Sequence, residues 1–206
     1  MLPQLAINII RKDWAEYWKT VILLTAGMFL PLLVITGSKD FSQGLMVGII
    51  ISGSYGYAHF CFMTERLRGT LQLLLSLPVR PFNLVLAKFA SLYSMALFTA
   101  NLPGIFMKDI RLLFLLNALV LFLSTVCMAA TVISEKPWAP IAPVWIVLIF
   151  FMPIQKILAK VYPEGLGLYA FAVSHATLLA GFAIILAPII AVLSAAYFHG
   201  MFTYVD

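Results

Sequence analysis

Charge is scarce in this chain. Only 10% of its 206 residues are charged, while 63% are hydrophobic. A water-soluble fold of this size could not hide so much apolar surface, so the composition excludes an ordinary soluble domain and points to the bilayer as solvent. Cysteine is nearly absent. Cys61 and Cys127 both lie in apolar runs and read as small buried hydrophobes, not as a disulfide. Catalytic signatures are also missing. There is no phosphate-binding loop, which excludes ATP binding by that route, and no G-x-S-x-G or H-E-x-x-H motif. His59, Cys61 and Met63 stand close together, but residues two apart point to different helix faces, a poor basis for metal or haem. His59 or His175 with Ser54 makes only a weak case for an intramembrane protease pair. The basic excess, 13 Lys and Arg against 8 Asp and Glu, sits at the ends of apolar runs and does not indicate nucleic acid.

What the chain has is long apolar runs. Six are expected to span a membrane as helices, over 20–36, 44–63, 83–103, 112–133, 138–158 and 174–198, within a single transmembrane domain covering 1–206. Each comes near the roughly 20 residues needed to cross about 30 Å of hydrocarbon. With the N-terminus in the cytoplasm, Arg11, Lys12, Lys19, Arg66, Arg68, Arg80, Lys88 and Lys136 fall inside. Lys39, Lys108, Arg111, Lys156 and Lys160 fall outside. This bias predicts a multi-pass protein of the cell membrane with both termini cytoplasmic.

Residues 1–19 carry Asp13 and Glu16 and lack the apolar centre of a signal peptide. They predict an amphipathic helix lying on the inner membrane surface. Leu2, Leu5, Ala6, Ile9, Ile10, Trp14, Tyr17 and Trp18 share one broad face, which Asp13 interrupts. Two spans carry small residues at every fourth position: Gly44, Gly48, Ser52 and Gly56, then Ala183, Ala187, Ala191 and Ala195. Such stripes let helices approach closely in lipid. Pro137, Pro140 and Pro143 enter the fifth span and are expected to disturb its first turns. Within 155–173, Tyr162-Pro163-Glu164-Gly165 is a turn signal. The apolar residues after it fit either a short external helix or an extension of the last span.

The segment 64–82 gathers what the rest of the chain avoids: charge, glycine and a proline stop. The second span is expected to continue through Glu65, Arg66 and Arg68. Gly69 suits the left-handed position after a helix, and Thr70 suits the cap of a new one. A short helix then runs Leu71 to Leu77, with Leu71, Leu74 and Leu75 as an apolar ridge, and Pro78 closes it. Pro81 starts the next span, and Lys88 lies near the inner interface. From these features alone, a docking element and a plain cytoplasmic loop resting on the membrane weigh equally.

The run Glu65-Arg66-Leu67-Arg68-Gly69-Thr70-Leu71, with Leu74-Leu75-Ser76-Leu77-Pro78-Val79 and then Ala87-Lys88, resembles the membrane subunits of type-2 ABC exporters. The six-span layout and the N-terminal amphipathic helix are similar as well. The resemblance implies an all-α permease with a short cytoplasmic coupling helix between spans two and three. Two cytoplasmic ABC ATPase subunits would be its partners, with a second copy or a related permease beside it. The chain itself would be no enzyme and would hold no cofactor or metal; ATP and Mg would sit on the ATPase. Glu65, Arg66, Arg68, Gly69, Thr70, Leu71, Leu74, Leu75 and Pro78 would form the ATPase-coupling element. Spans so poor in charge suit an amphiphilic or hydrophobic cargo, such as a lipid, drug or peptide. The competing readings are an intramembrane enzyme and a small channel or scaffold.

Overall fold

A computed structural model describes residues 2–33, 53–76, 79–104, 110–134, 136, 138–161 and 174–203. Among these residues every regular element is helical. Helix α1 covers Leu2–Leu33. Helix α2 covers 53–67; it contains a π turn at His59–Met63 and ends in the α-helical piece Thr64–Leu67. Helix α3 is the short Thr70–Leu75. Helices α4 and α5 are Pro81–Gly104 and Ile110–Ile133. A 3-10 turn at Ala139–Ile141 leads into α6, Ala142–Val161, and α7 is Ala176–Thr203.

Three segments are long and apolar enough to cross a membrane: Pro81–Leu102 in α4, Leu113–Ile133 in α5 and Ala176–Met201 in α7. They mark the chain as a membrane protein, and they agree with the expected third, fourth and sixth spans. Residues 34–52, which include the expected loop 37–43, Gly44, Gly48 and Ser52, lie outside the described residues, as do 162–173.

Helix α4 is the hub of the bundle, with α1, α5 and α7 packed around it and α6 resting on α5. Small residues set these approaches. Ala183, Ala187, Ala191 and Ala195 of α7 are all buried, as the four-residue stripe predicts, and so is Ala180. Ala180 and Ala183 meet Ala118 of α5, while Ala191 and Ala195 join the main core. At Gly56 an added Cβ would lie 3.7 Å from Phe60 and 3.8 Å from Leu24, ordinary contact distances. Outward residues on α6 and α7 are large and apolar, among them Trp145, Ile149, Phe150, Phe182, Ile185 and Leu193. Such a surface suits lipid and not water.

Two expectations change. The N-terminal segment is not a separate surface helix followed by a span; α1 runs unbroken from Leu2 to Leu33. Its buried stripe is Ile9, Asp13, Tyr17, Val21 and Thr25, each one turn apart, and it packs along α4. Asp13 therefore does not interrupt the inward face but belongs to it. The helix expected as a fifth span from residue 138 starts at Ala142. Pro140 falls in the 3-10 turn and Pro143 in the first turn of α6, where a missing N–H is harmless.

Candidate functional site

The distinctive chemistry lies where α2 leaves the bundle. Within the π turn Cys61, Phe62 and Met63 are buried in succession. The Thr64 hydroxyl donates to His59 O, five residues back, at 3.2 Å. The turn also carries the next residues around the helix axis, so that Glu65 is buried at 2% exposure.

The helix then stops sharply. Arg68 N–H donates to Thr64 O at 3.0 Å, and Gly69 N–H donates to Arg66 O at 3.2 Å. Gly69 has φ 74, the only positive φ among the described residues. A side chain there would strain the backbone. Gly69, not Thr70, caps the start of α3. The Thr70 hydroxyl instead donates backward to Glu65 O at 3.1 Å, satisfying a carbonyl at the end of α2. At the far end of α3 the Ser76 hydroxyl donates to Leu73 O at 2.8 Å. Pro78 lies outside the described residues.

The expected apolar ridge faces the other way. Leu71 is buried, and Leu74 and Leu75 pack against the core. The outward side carries Leu67 at 62% and Leu73 at 68% exposure, with Arg68, Gln72 and Ser76 also exposed. The reason is the angle at Gly69. It folds α3 back onto the bundle, so the leucine-rich face seals the core beneath it.

Glu65 is not paired with Arg68. Its Oε1 accepts from Lys88 Nζ at 2.7 Å and also from Lys12 Nζ. Lys88 in turn donates to Asp13 Oδ1 at 2.9 Å. Lys88, expected to snorkel to the interface, is fully buried between the two carboxylates. Burial pushes the Asp13 carboxyl above the usual carboxylate range, and Lys88 pulls against that shift. Around the rim, Arg68 Nη1 pairs with Glu16 Oε1 at 2.7 Å, and Lys12 Nζ lies 3.9 Å from Glu16 Oε2. Tyr17 stacks on Phe60 with ring centroids 5.2 Å apart. One turn before it, Trp14 Nε1 donates to the Ser94 hydroxyl at 2.8 Å. So α1, α2 and α4 are clamped together at one end by charge and aromatic contacts.

Arg66 makes a separate tie. Its Nη1 donates to Thr131 O at 3.0 Å and to Ser134 O at 2.9 Å, at the C-terminal end of α5. Those carbonyls lack intrahelical partners, and a cation there also complements the helix dipole. Deeper in the bundle, Thr25 donates to Thr99 at 3.2 Å, and Tyr57 shares a hydrogen bond with Thr99. Asn101 and Asn117 bond reciprocally at 2.9 and 3.0 Å, joining α4 to α5. Cys61 and Cys127 are free and buried.

The sequence pointed to Glu65, Arg66, Arg68, Gly69, Thr70, Leu71, Leu74, Leu75 and Pro78, but not to Asp13 and Lys88, as members of the site. A signal was present. Asp13 lies on an apolar stripe, and Lys88 lies inside an apolar run, where an unpaired charge would be costly. No protein family, curated protein or solved structure matches this chain.

Proposed function

We propose that the chain is the permease subunit of an ATP-driven exporter of the type-2 ABC kind. It would have six spans and cytoplasmic termini in the cell membrane. It would work beside a second copy or a related permease, and two separate ATPase subunits would bind and hydrolyse ATP with Mg. The single observation that supports this most is the turn at Gly69. A short helix is set at a sharp angle to α2, anchored inward by Leu71 and outward-facing through Leu67, Arg68, Gln72 and Leu73. An exposed apolar pair flanked by polar groups, at the end of a membrane helix, suits a protein partner better than bulk water.

The buried charge cluster supports the same reading mechanically. Force applied to α3 would pass to α1 and α4 through Glu65, Lys88 and Asp13, and to α5 through Arg66. A rigid handle tied to three helices can bias a bundle between two arrangements, as alternating access requires. The proposed cargo class is amphiphilic or hydrophobic, since the segments Pro81–Leu102, Leu113–Ile133 and Ala176–Met201 carry no Asp, Glu, Lys or Arg besides Lys88 for holding a charged solute.

The test is capture of the ATPase. Leu73 replaced by a photo-crosslinking residue should trap a soluble ATPase subunit in cells, and Leu71 replaced likewise should not. Equal trapping at both positions, or none at Leu73, refutes the coupling role.

A further inference from the structure

Charge does not balance inside the cluster. The side chains of Asp13, Glu65 and Lys88 are 0%, 3% and 0% exposed. Two carboxylates thus share one ammonium in a dry site. The second positive charge comes from Lys12, which is 45% exposed at the rim and reaches Glu65 Oε1 from outside. Lys12 Nζ also lies 3.9 Å from Asp13 Oδ1 and 3.9 Å from Glu16 Oε2, so it has other places to go. Asp13 Oδ2 and Glu65 Oε2 are buried and have no hydrogen-bond partner among the described residues. The Ser91 hydroxyl is itself buried and lies close enough to Asp13 to interact with its carboxyl group.

The geometry points to a proton-binding site on Asp13, at Oδ2, that fills when Lys12 withdraws from Glu65. With Lys12 in place, two carboxylates face two ammonium groups. Without it, one uncompensated negative charge stays buried, which a low-dielectric site opposes strongly. A proton from solvent, delivered by hydronium through the gap that Lys12 leaves, converts the carboxylate to the neutral acid and releases water. Oδ1 keeps its bond from Lys88. Protonated Oδ2 becomes a donor, and the adjoining Ser91 hydroxyl oxygen can accept from it. Glu65 and Lys88 then form a balanced pair.

Every charged or titratable group around the site fits this account. From α1, Lys12 opposes the proton and Glu16 favours it, while Tyr17 is uncharged. From α2, Glu65 favours it, Arg68 opposes it but is engaged by Glu16, and Cys61 is a buried thiol. From α4, Lys88 opposes it and already serves both carboxylates. Asp13 is the acceptor because it has one lysine within hydrogen-bond distance, where Glu65 has two. Burial acts in the same direction on Asp13. Proton uptake by Asp13 and withdrawal of Lys12 from Glu65 are therefore linked, whatever the chain transports.

The experiment is a pH titration of the full chain in lipid nanodiscs, read by the infrared carbonyl stretch of protonated carboxyl groups. Lys12→Gln should protonate one carboxyl at a pH about one unit higher than the wild type does, a tenfold lower proton concentration. Lys12→Gln/Asp13→Asn should lack that band. A Lys12→Gln titration identical to wild type overturns the site, and so does a shifted band that survives Asp13→Asn. If Lys12→Gln does not assemble, the double variant, whose buried charges balance, should do so. A double variant that fails equally shows that charge balance is not what the site senses and overturns the inference too.

Discussion

Lys88 and Asp13 lie 75 positions apart in sequence, yet they form a buried ion pair with Nζ 2.9 Å from Oδ1. Glu65 completes the arrangement from a third helix. Removing one partner of such a group leaves an uncompensated charge in a dry site, which costs about 3–5 kcal/mol. Lys88→Met should therefore lower the thermal midpoint of the detergent-purified protein sharply. Adding Asp13→Asn and Glu65→Gln should recover most of the loss. By contrast Glu16→Gln, which breaks the exposed pair with Arg68, should cost less than about 1 kcal/mol. Equal effects of Lys88→Met and Glu16→Gln on the melting curve would contradict the buried cluster.

Gly69 tests the turn by its backbone alone. Nothing lies within 4 Å of a Cβ added there, so any penalty comes from φ 74 and not from a clash. Gly69→Ala should cost about 1–2 kcal/mol, and Gly69→Asn should cost less, because asparagine visits the left-handed region more readily. Gly69→Val should be the worst of the three, since branching at Cβ adds to the strain. The order of thermal midpoints should be Gly, Asn, Ala, Val; an unchanged midpoint in Gly69→Val would argue against the positive φ.

The two sides of α3 should separate stability from partner binding. Leu71 is buried, so Leu71→Ala should destabilise the protein by about 2–5 kcal/mol. Leu73 and Leu67 are exposed, so Leu73→Ala and Leu67→Ala should leave the midpoint within about 0.5 kcal/mol of wild type. On the transport reading, the exposed pair should nevertheless lower co-purification of the ATPase. Loss of stability in Leu73→Ala together with a silent Leu71→Ala would reverse the orientation of the helix.

Arg66 should matter through α5. Arg66→Met strips a charged donor from Thr131 O and Ser134 O, each bond being worth about 1–3 kcal/mol. Hydrogen exchange should quicken at the C-terminal turn of α5 while the centre of α4 stays protected. Both bonds come from Nη1, so Arg66→Lys should rescue only in part, because the shorter lysine side chain does not carry its ammonium as far as that nitrogen. Unchanged exchange at the end of α5 in Arg66→Met would remove this tie.

Orientation in the membrane can be read by labelling. Arg68 is 62% exposed on its side chain, and the charge bias puts it in the cytoplasm. Arg68→Cys should resist a membrane-impermeant thiol reagent added outside intact cells, and Ser38→Cys should react. The reverse pattern would overturn both the topology and the coupling assignment.

The sequence by itself determined the solvent and the long helices. In lipid a backbone must pair within a helix or a closed barrel, and unbroken apolar runs of about 20 residues fit the helix, so the segments near 83–103, 112–133 and 174–198 were legible without tertiary information. Gly69 was legible for a similar reason: its place between two helical stretches demands a conformation that other residues resist. The tertiary structure alone decided which way the short helix faces and which charges meet. Leu71, Leu74 and Leu75 form a ridge on any helical wheel, but only the angle at Gly69 turns that ridge inward. Asp13, Glu65 and Lys88 each looked like a local exception on its own helix. Lys88 meets both carboxylates only because α1 and α2 pack against α4 at the same height, and a buried charge takes its meaning from its partners in space, not from its neighbours in sequence.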